Sequence, residues 1–435
     1  MTITGIISAI GNNSSIYPLI VRDCCIEAPS KILIARKENK KESDAMANDA
    51  TREKFIDEYA TSAIWLGGIP AVEFLADKYI SKRGFSPLVN LKLFKADKNP
   101  ADKLVQGIEY NINKFKNIKS KDVQEAVADL VKIKNNKSGY EKLLSQKFLA
   151  ATIIPTVIMG FVLPPLNFAL TKKLRKNKAQ NQQNSQKNTK NIDFTSAQID
   201  SFRKSMPNKE VAFTGNNFVS TIANLRTVDK MAISDGGLTV GRVSTSRNKD
   251  EAYVNAFRMI GSMILNFVTP VYIAKALDKF ANRTFGINVN LDPLILDNEG
   301  FIDAIKENKV ELPKSTSAKD LIDFIDNKPD TLFSKFAQQM KKVTYLKSGY
   351  RDPRKFVDIE DLAKFRNEFE NFIKAAQKSK NIESFTRKAK FVKGFNILAN
   401  VGISSFLLAG VLPKLQYGFN KLVTGSYTDP GLKNQ

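Results

Sequence analysis

Four stretches of this chain contain no charged side chain, although 26% of its 435 residues are Asp, Glu, Lys or Arg. They are residues 59–72, 148–171, 259–274 and 394–413. A helix that crosses the hydrocarbon core of a bilayer needs about 20 apolar residues, each rising about 1.5 Å. The second and fourth stretches meet that length and the third is marginal. The first is short unless Glu73, Asp77 and Lys78 sit at an interface or inside a bundle. A mainly α protein located at a membrane, with transmembrane helices, is therefore expected. The competing arrangement is a soluble core of kinked helices. All four stretches contain both proline and glycine, and an interior proline costs a water-soluble helix about 3 kcal/mol. Among packed membrane helices, neighbours re-satisfy the freed backbone groups. Pro70, Pro164, Pro270 and Pro413 fall late in their stretches and are the helix-break candidates.

Self-comparison organises these stretches into pairs. "VLPPLNFALTKKL" from Val162 aligns without a gap with "VLPKLQYGFNKLV" from Val411. "ADKYISKRGFSPLVNL" from Ala76 aligns with "LDKFANRTFGINVNL" from Leu277 across one gap, matching Arg83, Phe85 and Asn90 to Arg283, Phe285 and Asn290. "KSGY" recurs between the paired stretches, at 137–140 and 347–350. The collinear order predicts two tandem copies of a two-helix apolar unit, residues 50–176 and 249–423, each interrupted by a basic helical insertion. Residues 1–49 form an N-terminal segment and 424–435 a tail. The intervening 177–248 begin as the polar, low-complexity run "KNKAQNQQNSQKNTKN", expected to be a disordered linker. A small β-hairpin is expected near 232–246, where "AISDGGLTVGRVSTS" places Asp235-Gly236-Gly237 between two apolar runs.

Composition limits the chemistry. Histidine is absent, which removes the usual general base near neutral pH and the commonest metal ligand. The two cysteines, Cys24 and Cys25, are adjacent, so they form neither a C-x-x-C redox motif nor a disulfide framework. No Walker A or dinucleotide-binding glycine pattern occurs, and "LDNEGF" from Leu296 lacks the alternating carboxylates of a calcium loop. No catalytic residue, cofactor site or metal site is predicted, and the chain is not expected to be an enzyme. The N-terminus lacks a basic region before its apolar residues and is not read as a cleavable signal peptide.

A net charge of +23 suits nucleic acid or an anionic lipid surface. The insertions carry 40 of the 67 Lys and Arg residues, spread along their length with no RNA- or DNA-binding motif. Anionic membrane lipids, or a protein partner, are thus the expected partners ahead of nucleic acid. The function expected is structural or interaction-based. Alternatives are a small-solute transporter with Pro-broken helices and a soluble, basic nucleic-acid-binding protein.

Overall fold

The computed structural model describes residues 2–11, 20–96, 105–184, 227–287 and 290–433. Among the described residues, helix accounts for 80% and no strand occurs, so the class is mainly α. Seven helices build one bundle: α1 (Ile3–Gly11), α2 (20–40), α3 (44–82), α4 (137–184), α5 (Thr227–Ser244), α6 (Lys249–Phe285) and α7 (Ile382–Thr424). The four uncharged stretches lie within α3, α4, α6 and α7. Each of these helices starts where Ser or Asn supplies an N-cap: Ser43, Asn136, Asn248 and Asn381 accept from backbone N–H groups three residues on. Residues 137–177 of α4, together with α6 and α7, are long and apolar enough to cross a membrane; α3 is not among them.

Proline shapes all four helices in one way. Just before Pro70, Pro164, Pro270 and Pro413 a single π-helical turn interrupts the α-helix, and another precedes Pro155. The residue preceding each of these prolines donates to the carbonyl five residues back, for example Ile69 to Ile64 and Leu412 to Leu407. Proline has no N–H and its ring crowds the carbonyl four residues earlier. Widening the turn moves the ladder by one residue and lets the helix continue. The proposed breaks are therefore π-bulges within continuous helices.

The hairpin expected near 232–246 is not present: these residues belong largely to α5. Gly237 and Gly241 are one helical turn apart and press against α4. A Cβ on Gly241 would lie 2.7 Å from the Gly160 backbone, and one on Gly237 would lie 2.8 Å from Thr156 Cγ2. Glycine works here as a small-residue contact between helices, a use that the Asp-Gly-Gly turn signal does not distinguish. Residues 177–184 continue α4, and 185–226 lie outside the described residues.

The N-terminal segment also joins the bundle. Ser8 donates to Asp292 (2.8 Å), and Ile7 lies on Gly394, both at the end where α6 stops and the apolar part of α7 begins. At the opposite end, Asn39 and Asp429 exchange two hydrogen bonds of 2.9 Å. The described parts of this segment, residues 2–11 and 20–39, thus make contacts at opposite ends of the bundle.

The insertions pack together as one helical head beyond the first of those ends. The second supplies a phenylalanine core, in which Phe301, Phe333 and Phe369 are fully buried. The first buries Leu93, Leu130 and Tyr140. Residues 343–357 of the second insertion strap across the first. Asn90 N donates to Arg354 O, Asn111 Nδ2 to Pro353 O, and Val357 N to Gln106 Oε1. The repeated "KSGY" takes two structures: 137–140 starts α4, whereas 347–350 forms a turn with Gly349 at φ 85°.

Candidate functional site

The most developed polar site of the bundle lies at the end away from the head. It starts from α3, where Asp49, Glu53 and Asp57 recur every four residues on one helical face. Like charges at that spacing destabilise an isolated helix. Each is met by an arginine from elsewhere. Asp49 receives Arg175 of α4 at 2.6 Å, and Glu53 receives both Nη atoms of Arg247 at 3.0 and 3.1 Å. Asp57 receives Arg242 of α5 at 2.6 Å, with Arg258 of α6 3.7 Å away. Arg247 also binds Glu251, and its guanidinium lies 4.0 Å from the centre of the Phe168 ring. A second face of α3 places Glu58 between Lys31 (3.2 Å) and Lys54 (3.3 Å). The acidic i, i+4 stripe in the sequence is the signal that marks this site; its arginine partners come from sequence-distant segments.

Burial and pairing compete here. Burial pushes the Glu58 carboxyl up, but Lys31, Lys54 and Arg258 outweigh it and hold the group below its ordinary range. Burial opposes the Lys31 charge, yet Glu58 and Glu27 raise it. Burial raises Glu53 against the pull of Arg247. Lys54 is pushed down to about 8 from 10.5, by burial and by Arg258. Its folded value lies below its unfolded one. Between about pH 8 and 10.5 the unfolded chain therefore binds the extra proton, stability rises with pH, and the penalty is fully present below pH 8. The melting temperature in detergent should climb from pH 8 to 10, and Lys54→Met should flatten that climb. A variant that climbs as steeply as the wild type would remove Lys54 from this role. Carboxylates clasped by cations hold these helices together.

The other sequence-marked residues are dispersed. Arg83 stacks over Tyr79 just past the end of α3, with Nη2 donating to the phenol at 3.0 Å. Phe85 packs into the first insertion beside Tyr140. Asn90 Oδ1 caps a short helix by accepting from Lys92 N. In the second half, Arg283 is exposed, Phe285 is partly exposed beneath Lys388, and Asn290 borders a cavity between the head and the bundle. These six residues mark helix exits into the head and do not converge on one site.

No protein-family model, curated protein or solved structure matches this chain.

Proposed function

We propose that this is an integral membrane protein of structural or interaction type, built from two copies of one unit, with a basic head that meets anionic lipid or a partner protein. One observation carries the membrane assignment: the most apolar window of α6 has none of its residues buried inside the protein. A soluble core helix buries such a window. Ile264, Val271, Phe395, Leu398 and Phe406 also face outward from α6 and α7, and a belt of that extent marks a surface made for lipid. Tyr253 and Tyr272 are exposed at the two ends of that belt, 61% and 67%. Nineteen helical residues apart, they are separated by roughly 28 Å, close to one hydrocarbon thickness. Lys275 lies over Tyr272 and Arg83 over Tyr79, the aromatic–cation pairing suited to a headgroup layer. Lysines near an anionic leaflet contribute about 1 kcal/mol each.

Packing supports the duplication and enlarges its unit from two helices to three. α2 packs on α3 and crosses to α7; α5 packs on α6 and crosses to α4. The first helix of each unit thus reaches the last helix of the other. The π-bulges before Pro70 and Pro270, and before Pro164 and Pro413, fall in matching helices. Both insertions then leave from the same side, as in parallel copies.

Carbonate extraction followed by protease protection tests this reading. The protein is expected to stay in the pellet, with the head cut from one side of the membrane and the chain just after α4 cut from the other. Release into the carbonate supernatant, followed by salt-steep DNA binding, would instead support the soluble nucleic-acid-binding reading. The π-bulges at matching positions of continuous helices favour small-solute transport as a second function; reconstituted protein that moves no candidate solute removes it.

A further inference from the structure

A cavity of about 390 Å³ opens where α6 and α7 leave the bundle for the head. Asp278, Asn290, Glu368, Lys393, Asn396 and Asn400 are among its lining residues. Its volume is that of a small-ligand site, and it holds both signs of charge at the level where the apolar belt ends.

The two halves of the chain differ at this point. In the first half, Asp77 of α3 accepts from the Lys147 ammonium of α4 at 2.6 Å, tying the helices together. The Asp-Lys-aromatic match sets Asp278 opposite Asp77. The ungapped match of Val162 with Val411, carried back along the helices, sets Asn396 opposite Lys147. Asn396 Nδ2 does donate to Asp278 Oδ1, at 3.1 Å. A neutral amide thus stands where the first half holds an ammonium, and the Asp278 carboxylate faces a cavity. The cations nearby are unequal. Lys342 is held by both oxygens of Asp361 at 2.8 Å, and Lys364 is 3.9 Å from Glu368. Lys393 is half-buried and, among the described residues, has no carboxylate within ion-pair distance.

We propose that this cavity binds a small group carrying a primary ammonium and a phosphate, the headgroup of an ethanolamine phospholipid. The ammonium takes the place on Asp278 that Lys147 occupies on Asp77, with three N–H donors for the carboxylate and the Asn290 and Asn400 amide oxygens. The phosphate is met by Lys393. A trimethylated choline has no N–H to donate and is disfavoured. The correspondence of Lys147 with Asn396 rests on the duplication, and the lipid source rests on the membrane reading; the cavity and its charges rest on neither.

The test uses full-length protein in detergent, with binding followed by melting temperature and native mass spectrometry. Dioleoyl phosphatidylethanolamine is expected to bind at least tenfold more tightly than the phosphatidylcholine with the same chains. Asn396→Lys, which restores the first-half pair, should abolish that preference while preserving helix content. Should that variant fail to fold, Lys393→Gln provides the reading: it should lose most of the preference for phosphoethanolamine over ethanolamine. Soluble phosphoethanolamine that competes only at far higher concentration than the lipid supports the lipid source; equal competition supports a free metabolite in the same site. Equal binding of the two phospholipids by wild-type protein, or an undiminished preference in a folded Asn396→Lys variant, overturns the proposal. Carbonate release of the protein would sink the membrane reading alone, since phosphoethanolamine remains a valid probe of the cavity.

Discussion

Arg351→Met is expected to cost about 3–5 kcal/mol and to loosen the two insertions from each other. The Arg351 side chain is fully buried in the strap that joins them. Its Nε donates to Asp326 at 2.7 Å and its Nη2 to Asn111 at 3.1 Å, so one guanidinium ties the second insertion to the first. The plane of the Phe115 ring lies beneath it, 5.5 Å from its centre. Removing the cation leaves the Asp326 carboxylate, itself 4% exposed, with Lys114 as its remaining partner, and strands the Asn111 carbonyl. A buried group left without its partner costs more than the pair contributed. Lysine should rescue little, because one ammonium lacks the planar fork that reaches Asp326 and Asn111 together. Adding Asp326→Asn to Arg351→Met should recover part of the loss, since it removes a buried charge left with Lys114 alone. Thermal unfolding in detergent and the rate of proteolysis within 343–357 measure the effect. A loss below about 1 kcal/mol would show that the strap is held by its backbone bonds instead.

The sequence announces the helical class and the long apolar helices because those depend on local pattern: length, absence of charge, and Ser or Asn at the start. It announces Pro70, Pro164, Pro270 and Pro413 for the same reason, since a missing N–H acts within its own helix. Partnerships between distant segments are less legible. The Asp49–Glu53–Asp57 stripe shows that cations are needed, yet nothing local assigns Arg175, Arg247 and Arg242 to it. Arg351 looks like one basic residue among many until Asp326 and Asn111 close around it. The N-terminal segment is too broken by polar residues to suggest a place in the bundle, and only the contacts of Ser8 with Asp292 and of Asn39 with Asp429 put its described parts at opposite ends. Glycine is ambiguous in principle: it serves a turn through its backbone and a helix contact through its missing side chain.

That ambiguity makes the glycines of α5 the sharpest test of the fold. Gly241→Val should destabilise the bundle by about 3 kcal/mol or more. The added carbon meets the Gly160 backbone, whose Cα and carbonyl carbon lie 2.7 Å from the ideal Cβ position, and backbone cannot rotate out of the way. α5 must then move off α4. That separation breaks the 2.5 Å hydrogen bond between Thr156 and Ser234, and it opens the contact of Leu238 with Met159. Gly236→Ala provides the opposing result from the same short motif. Nothing lies within 4 Å of a Cβ at Gly236, and alanine in a helix interior is favoured over glycine by about 0.5–1 kcal/mol. A hairpin would reverse this pattern: Gly236 would sit in the turn and resist substitution, while Gly241 would lie in a strand and tolerate valine well. Melting of the two variants in detergent therefore separates the structures by sign. Loss at Gly241 with gain at Gly236 fixes α5 against α4 as a close-packed helix pair; loss at Gly236 alone would return these residues to a turn.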